Sequence, residues 1–213
     1  SSDVCSSDLI KLKNKAGLVF QNNLNINGNK NNPVLFFGEE GNHGVLILNS
    51  KKLSNIKYVI FDGLGSPLYS SNNITGGLSF YNSKVKIHHS SFINSISEDA
   101  LNIVRSEFEI KNSIFDSIGS DAIDIDFSNG LISSSTFNNV QNDAVDLSGS
   151  TVNISKLRIS NINDKAISAG ERTELNAKGI YINNAFIGIA SKDLSNVKAT
   201  DIEIVEGIYC LTA

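Results

Sequence analysis

A repeat of 22 residues constrains the fold of this chain more than any local motif. A small residue returns at this step and is always followed by an aliphatic one. The small residues are Ala100, Ala122, Ala144, Ala166, Gly188 and Cys210. The aliphatic residues that follow them are Leu101, Ile123, Val145, Ile167, Ile189 and Leu211. Self-similarity at a fixed step of this length is typical of solenoids, in which each repeat packs on its neighbours.

Each repeat contains three short segments in which apolar and polar residues alternate. Alternation with a period of two indicates β-strands, and segments this short cannot be helices. Two further apolar series complete the expected core. They are Ile93, Phe115, Phe137 and Ile159, and then Ile96, Ile118, Val140 and Ile162. The sequence therefore predicts an all-β parallel β-helix of about eight coils, with equivalent residues stacked roughly 4.8 Å apart.

The ends and one loop interrupt this pattern. Residues 1–9 lie outside the repeat, and their back-translation is similar to the tail of a sequencing-library adapter, so we interpret them as an adapter-derived scar. Residues 10–213 are predicted to form a single β-helix domain, truncated at one or both ends. The Gly-, Ser- and Asn-rich stretch 62–75 is predicted to project from one corner as a loop.

Charge and cysteine content narrow the function classes. The formal charge is −4 and the 18 basic residues are scattered, which argues against a nucleic-acid surface. No apolar run approaches the roughly 18 residues of a membrane span, so no membrane insertion is expected. With Cys5 inside the scar, Cys210 remains as a single cysteine without metal-ligand spacing.

The recurring phrases SIFDSIGSDAIDI and STFNNVQNDAVDL resemble the right-handed parallel β-helix repeat of the pectin-lyase-like superfamily. The opening coils are also similar to those of bacterial surface proteins. The resemblance covers residues 17–213 and implies a right-handed, single-stranded parallel β-helix in a secreted or surface-displayed bacterial protein, often one that handles polysaccharide. The repeat encodes coil geometry and therefore says little about function.

Three acids at equivalent corners, Asp99, Asp121 and Asp143, form one predicted column, which ends at Lys165. An aspartate in a tight turn can accept hydrogen bonds from nearby backbone N–H groups. A structural role is therefore the expectation for this column.

A second predicted column reads Asn102, Asp124, Asp146 and Ser168, with Asp126 beside it. If Ile123 and Ile125 point inward, Ala122, Asp124 and Asp126 point outward. Two carboxylates about 5 Å apart repel by roughly 1 kcal/mol in water and about 3 kcal/mol at an effective dielectric near 20. Three readings stay open for Asp124, Asp126 and Asp146. They are a solvated or ion-paired face, with Arg105 near Asp126; a ligand site for sugar or calcium; and a catalytic carboxylate pair.

Other candidates rest on single residues. His88 and His89 point to opposite sides of a strand, and Arg158 could act as a lyase base or be a plain surface charge. Tyr58, Tyr69, Tyr81 and Phe127 could stack on sugar rings or cover strand ends. The chain lacks the acidic and Gly-His-Gly motifs of polygalacturonase-like hydrolases and a calcium-and-arginine lyase set.

These observations favour a non-catalytic module that contacts polysaccharide or serves as a structural scaffold, with no resident cofactor apart from a candidate calcium ion. Its partners would be a polysaccharide, another surface component or flanking domains of the same chain. The alternative is a carbohydrate-active enzyme, a polysaccharide lyase or a glycoside hydrolase, that uses the outward aspartates. For the alternative to hold, the loop 62–75 must approach the Asp124 face and form a cleft wall.

Overall fold

The chain winds into a parallel β-solenoid of about nine turns, as seen in a computed structural model that describes residues 2–5, 8–69 and 72–213. Each turn contributes one strand to each of three parallel ladders, which we name A, B and C. Within the described residues each ladder has nine rungs. The predicted fold is confirmed. The structure has one turn more than the eight expected, because residues of the predicted scar form part of the first rungs of ladders B and C.

The strands fall into the three ladders in regular succession. Ladder A consists of Leu18–Phe20, Val45–Leu48, Gly76–Tyr81, Asp99–Val104, Asp121–Asp126, Val145–Ser148, residues 165–170, residues 187–191 and Tyr209–Thr212. Ladder B consists of Ser2–Cys5, Leu24–Asn27, Ser54–Lys57, Val85–His88, Glu107–Lys111, Asn129–Ser133, Thr151–Ser155, residues 174–178 and residues 196–200. Ladder C consists of Leu9–Leu12, Val34–Gly38, Val59–Asp62, Ser91–Ile93, Ile114–Ile118, Thr136–Val140, residues 158–162, residues 180–185 and residues 202–205.

Toward the end of the chain the strands run continuously around the corners, as Arg158–Gly170, Glu174–Ser191 and Asn196–Val205. A small antiparallel hairpin, Leu68–Tyr69 with Asn72–Asn73, stands outside the ladders. Ser2–Cys5 pair with Leu24–Asn27 as the first rung of ladder B. Their adapter origin concerns the encoding DNA and stays a prediction.

The core is a set of stacked columns along the solenoid axis. Its clearest column is aromatic, and successive ring centroids are 4.6–5.2 Å apart. The rings belong to Phe36, Phe61, Phe92, Phe115 and Phe137, all buried on ladder C. Rungs about 4.8 Å apart bring equivalent rings to stacking distance, so the column follows from the repeat.

Two of the predicted core positions are wrong. Phe92, not Ile93, pairs with Phe115, while Ile93 is half-buried and Ile96 is 59% exposed. The step from Phe92 to Phe115 is 23 residues, so counting back by 22 lands one position late. Ala122 is also buried and not outward, because the alternation of ladder A breaks at this corner.

Most corners carry residues with positive φ, and Asn and Gly are prominent among them. Between ladders C and A these residues are Asn94, Ser117, Asn139, Asn161, Asn184 and Glu206. Asn is the non-glycine residue that adopts this conformation most readily, together with Asp and His. The Asn161 amide also donates to the Asn139 side chain at 3.1 Å, and the Asn184 amide donates to that of Asn161 at 3.1 Å.

A hydroxyl column, which the sequence did not predict, closes the corner between ladders A and B. It comprises Ser50, Ser83, Ser106, Ser128, Ser150, Thr173 and Ser195. Each hydroxyl from Ser83 onward accepts the backbone N–H of the column member one turn earlier. The Ser128 hydroxyl also donates to the Asp126 carbonyl at 2.8 Å. The column therefore satisfies backbone groups that a turning chain would otherwise leave buried without a partner.

We expect Ser128→Ala to lower the free energy of unfolding by about 1 to 3 kcal/mol, because the buried Ser106 N–H, now 3.0 Å from the Ser128 hydroxyl, would lose its acceptor. Guanidinium denaturation followed by circular dichroism measures the change. The half-buried Ser155→Ala is the control and should have little effect. Equal effects of the two substitutions would contradict the role of the column.

Candidate functional site

The outward side of ladder A carries a column of polar residues in the predicted register. Asn102 pairs with Asp124, Asp124 with Asp146, and Asp146 with Ser168. Ser79 continues the column on the other side of Asn102. The intervening aliphatic residues of the same strands lie in the hydrophobic core, so this column points away from it.

This polar column is recessed. Ser79 and Ser168 are 0% exposed and Asn102 only 1%, although all three point away from the core. Asp124 and Asp146 are partly exposed. We call this feature the polar groove. Its floor is Ser79, Asn102, Asp124, Asp146 and Ser168, one side is Asp99, Asp121 and Asp143, and the other side is Tyr81 and Asp126.

The corner acids on one side of the groove have the backbone contacts expected of them. The Asp121 carboxylate accepts the Asp143 N–H at 2.7 Å, and the Asp143 carboxylate accepts the Lys165 N–H at 2.9 Å. The Lys165 ammonium also pairs with Asp143 at 3.2 Å. These bonds confirm the structural interpretation of Asp121, Asp143 and Lys165.

Asp99 differs from the other two corner acids. It is 3% exposed, and its Oδ2 atom has no hydrogen-bond partner among the described residues. Burial raises its pKa to about 7, opposed by a hydrogen bond with Thr75 and reinforced by the charge of Asp121. Near neutral pH this carboxyl is therefore divided between its two protonation states.

Asp124 lies at the centre of the floor, among other carboxyl groups. Burial raises its pKa to about 9, and the charges of Asp99, Asp126 and Asp146 add to the effect. The Asn102 amide donates to Asp124 Oδ2 at 2.8 Å. The raised pKa favours the protonated form of Asp124, which can donate a hydrogen bond as well as accept one.

Burial and neighbouring carboxyl groups also raise the pKa values of other groove residues. Burial raises the pKa of Asp121 to about 6, and burial with the charges of Asp126 and Asp124 raises that of Tyr81 to about 12. Burial raises the pKa of Asp126, and the positive charge of Arg105 offsets only part of this increase. Within the described residues Arg105 makes no ion pair with Asp126, and its guanidinium lies 5.5 Å from the centre of the Phe127 ring. The groove is thus acidic with little compensation from cations.

The three predicted ligand residues do not form a ready-made metal cup. Asp124 and Asp146 lie on adjacent rungs, but Asp126 pairs with Ser148. In the part of the chain that the structure describes, no three His, Cys, Asp or Glu side chains converge as a metal site. Calcium takes six to eight oxygen ligands, and a calcium site at Asp124, Asp126 and Asp146 stays a prediction.

The loop 62–75 reaches one end of the groove. Thr75 hydrogen-bonds both Asp99 and Tyr81, and its carbonyl accepts the Ser66 hydroxyl at 2.8 Å. Residues 70 and 71 lie outside the described residues. The loop therefore meets the groove at its Asp99 end, one rung before Asp124.

Tyr81 forms part of the groove, whereas His88, His89 and Arg158 lie away from it. The His88 ring is 2.7 Å from Glu109, and the His89 ring stacks on Tyr58 with centroids 4.9 Å apart. Arg158 lies over Tyr181 at 5.9 Å. Each has a structural neighbour that accounts for it. The sequence placed Ser168 in the column but did not predict its burial, and it missed Thr75.

No protein-family model and no curated protein matches the chain. Among solved structures, the chain is similar to an alginate lyase from Paenibacillus sp., at 10% identity and a TM-score of 0.43, over 97% of this chain and 91% of that one. It is also similar to the catalytic domain of a GH87 alpha-1,3-glucanase in complex with tetrasaccharides, at 9% identity and a TM-score of 0.36. That match covers 99% of this chain and 61% of the glucanase domain, so the chain spans about three fifths of its length.

No helix among the described residues has the length and hydrophobicity of a membrane span. The similarities to solved structures concern the fold alone. Three parallel ladders of nine rungs among the described residues, closed around one stacked core, identify the chain as an all-β parallel β-solenoid.

Proposed function

We propose that the protein is a non-catalytic β-solenoid module of a secreted or surface-displayed bacterial protein, and that it holds a neutral polysaccharide along the polar groove. The observation that carries the proposal is the partly exposed pair Asp124 and Asp146 on adjacent rungs, which offers carboxyl oxygens to a ligand lying along the ladder. Beside this pair, Asp99 Oδ2, Asn102 Oδ1 and Ser168 Oγ are enclosed and have no hydrogen-bond partner among the described residues.

A chain of sugars suits the shape and chemistry of the groove. The groove runs along the solenoid axis, and its floor repeats roughly every 4.8 Å, the spacing of parallel strands. The carboxyl oxygens of Asp124 and Asp146 can accept hydrogen bonds from sugar hydroxyls, and the protonated form of Asp124 can also donate one. A linear ligand with hydroxyls along its length would use several rungs at once.

The charge of the groove favours a neutral polysaccharide over one built from uronic acids. Six aspartates line the groove, namely Asp99, Asp121, Asp124, Asp126, Asp143 and Asp146. The nearby cation Lys165 is already paired with Asp143 and Asp164. A polyanion would add like charges to a site where neighbouring carboxyls already raise each other's pKa.

Affinity gel electrophoresis tests the proposal with soluble α-glucan, β-glucan, mannan and xylan on one side and polygalacturonate and alginate on the other. We expect retardation by at least one neutral polysaccharide and none by the two polyanions. Asp124→Asn/Asp146→Asn should weaken the retardation about tenfold or more, since one bidentate set of bonds is worth 1 to 3 kcal/mol. Asp201→Asn, an exposed acid outside the groove, is the matched control. If none of the four neutral polysaccharides slows the migration of the wild type, the proposal is refuted.

A second candidate function, a glycoside hydrolase, is favoured by one observation. Burial raises the pKa of Asp124, which favours the protonated state that a general acid needs, and Asp146 on the next rung lies at roughly the 5 Å separation of a retaining pair. Any two stacked aspartates in a solenoid show this separation. An assay for reducing ends separates the two functions. If the wild type releases reducing ends from the bound polysaccharide and Asp124→Asn does not, the protein is a glycoside hydrolase and not a non-catalytic module.

A further inference from the structure

A cleft of about 440 Å³ lies on the outer face of ladder C, next to the corner that joins this ladder to ladder B. We call it the corner cleft. It spans three successive turns, which contribute Ile60, Ser91 and Ile114 in register. Its volume is within the range of roughly 300 to 1,000 Å³ that is typical of small-molecule sites. None of its residues belongs to the polar groove, so it is a separate feature of the solenoid.

An inserted loop closes one end of the corner cleft. Residues 28–33 join ladders B and C before Val34–Gly38, whereas one or two residues make this connection from the turn of Tyr58 onward. The loop is held by its own hydrogen bonds, since Asn29 Oδ1 accepts the N–H groups of Asn31 at 3.1 Å and Asn32 at 3.0 Å. The coil does not need these extra residues, and ordered loops on a rigid scaffold often carry binding sites.

The floor of the corner cleft is apolar, although it faces away from the core. Ile60 and Ile114 occupy outward positions of ladder C, and Ile114 is 48% exposed. The next residue of this column is Thr136, so the apolar surface ends where the cleft ends. Along one side, the Tyr58 and His89 rings stack with centroids 4.9 Å apart. An apolar floor beside aromatic side chains suits a flat, apolar ring of a ligand.

The charge of the corner cleft is positive, although the chain has a net charge of −4. Lys30, from the inserted loop, lines the cleft and makes no ion pair in the part of the chain that the structure describes. No acidic side chain of that part lines the cleft. An ammonium group at the edge of an apolar surface favours a ligand with one acidic group.

The corner cleft offers few hydrogen-bonding groups. The buried Ser90 hydroxyl already donates to the His88 carbonyl at 3.0 Å and accepts the Val59 N–H at 3.3 Å. The uncharged polar side chains that remain are those of Ser91 and Asn112. A pyranose has hydroxyls around its whole edge and would leave some of them without a partner, which costs affinity. An aromatic ring needs no such partners.

We propose that the corner cleft binds a small aromatic acid, with the ring of the ligand on Ile60 and Ile114 and its acidic group at the Lys30 ammonium. This site is independent of the polysaccharide that we propose for the polar groove. It also gives the inserted loop 28–33 a function, because the loop supplies both the end wall and the cation.

Fluorescence titration of the full chain tests the proposal. The probe is anilinonaphthalene sulfonate, an aromatic acid whose emission rises in apolar surroundings, and phenylnaphthylamine is the paired probe without the sulfonate. We expect saturable binding of the sulfonate probe. Lys30→Gln should weaken it about two- to fivefold, the value of an exposed ion pair, and leave the uncharged probe unaffected. Ile114→Thr, which introduces the residue of the next rung, should weaken both probes about three- to tenfold.

Two exposed residues outside the corner cleft supply the controls. Lys51→Gln and Ile96→Thr should not change the binding of either probe. Cinnamate should displace the sulfonate probe, and cinnamyl alcohol, which lacks the acid, should do so much less. The site is refuted if the wild type shows no saturable binding, or if Lys30→Gln and Ile114→Thr bind the sulfonate probe as the controls do. If the alcohol displaces the probe as well as the acid does, the assignment of an acidic ligand is wrong.

Discussion

Phe115→Ala is expected to lower the free energy of unfolding by about 3 to 5 kcal/mol, the largest loss of any single substitution considered. The Phe115 ring is fully buried and stacks between Phe92 at 4.6 Å and Phe137 at 4.9 Å. Neighbouring rungs are fixed by their strand pairing and cannot collapse into the space, so a cavity remains and both adjacent rings lose a contact face. Guanidinium denaturation followed by circular dichroism and by hydrogen exchange measures the change.

The control for this prediction is Phe186→Ala. Phe186 is 43% exposed and contacts Tyr209 edge to face, so its loss should cost less than about 1.5 kcal/mol. Because the repeats of a solenoid interact mainly with their neighbours, the faster hydrogen exchange in Phe115→Ala should centre on the three turns that carry Phe92, Phe115 and Phe137. An equal loss of stability in both variants would contradict the stacked column as the main source of stability.

Asp124→Asn is expected to stabilise the protein at pH 8 by about 1 to 3 kcal/mol and to flatten its dependence on pH. The pKa of Asp124 is raised to about 9 in the folded protein, against about 3.9 in an unfolded chain. Between these values the folded state binds more protons than the unfolded state, so the wild type loses stability as the pH rises from about 4 to about 9. Asparagine does not ionise and removes this contribution.

Guanidinium titrations at pH 5, 6, 7, 8 and 9 measure this effect. The pKa values of Asp99 and Asp121, raised to about 7 and about 6, contribute in the same direction over the lower part of the range. The wild type should therefore be more stable at pH 5 than at pH 9, and Asp124→Asn should narrow the difference. Asp201→Asn should leave the slope unchanged. A wild-type stability that rises from pH 5 to pH 9 would show that the groove does not hold these protons.

The fold could be predicted almost entirely from the repeat. A period of 22 fixes which residues stack, and the pairing of Asn102, Asp124, Asp146 and Ser168 followed directly. Errors arose where the period changes or the alternation breaks. One additional residue between Phe92 and Phe115 displaced the prediction onto Ile93, and a bend buried Ala122.

The site could be predicted only in part. The repeat placed Asp124 and Asp146 side by side, but the burial of Asn102 and Ser168 depends on how the turns enclose ladder A, and no pattern of single residues encodes that. The contact of Thr75 with Asp99 comes from an irregular loop, so the repeat carries no information about it.

The parallel ladders also bear on how the chain folds. In most sheets of this size, pairing joins segments far apart in sequence, and closing the long loops between them is slow. Here Asp121 pairs with Asp99 and Thr136 with Ile114, each 22 residues away. Such pairings give a relative contact order of about 0.1, a value typical of helical bundles. An all-β protein built in this way can nucleate on any pair of adjacent turns and grow in both directions, one turn at a time.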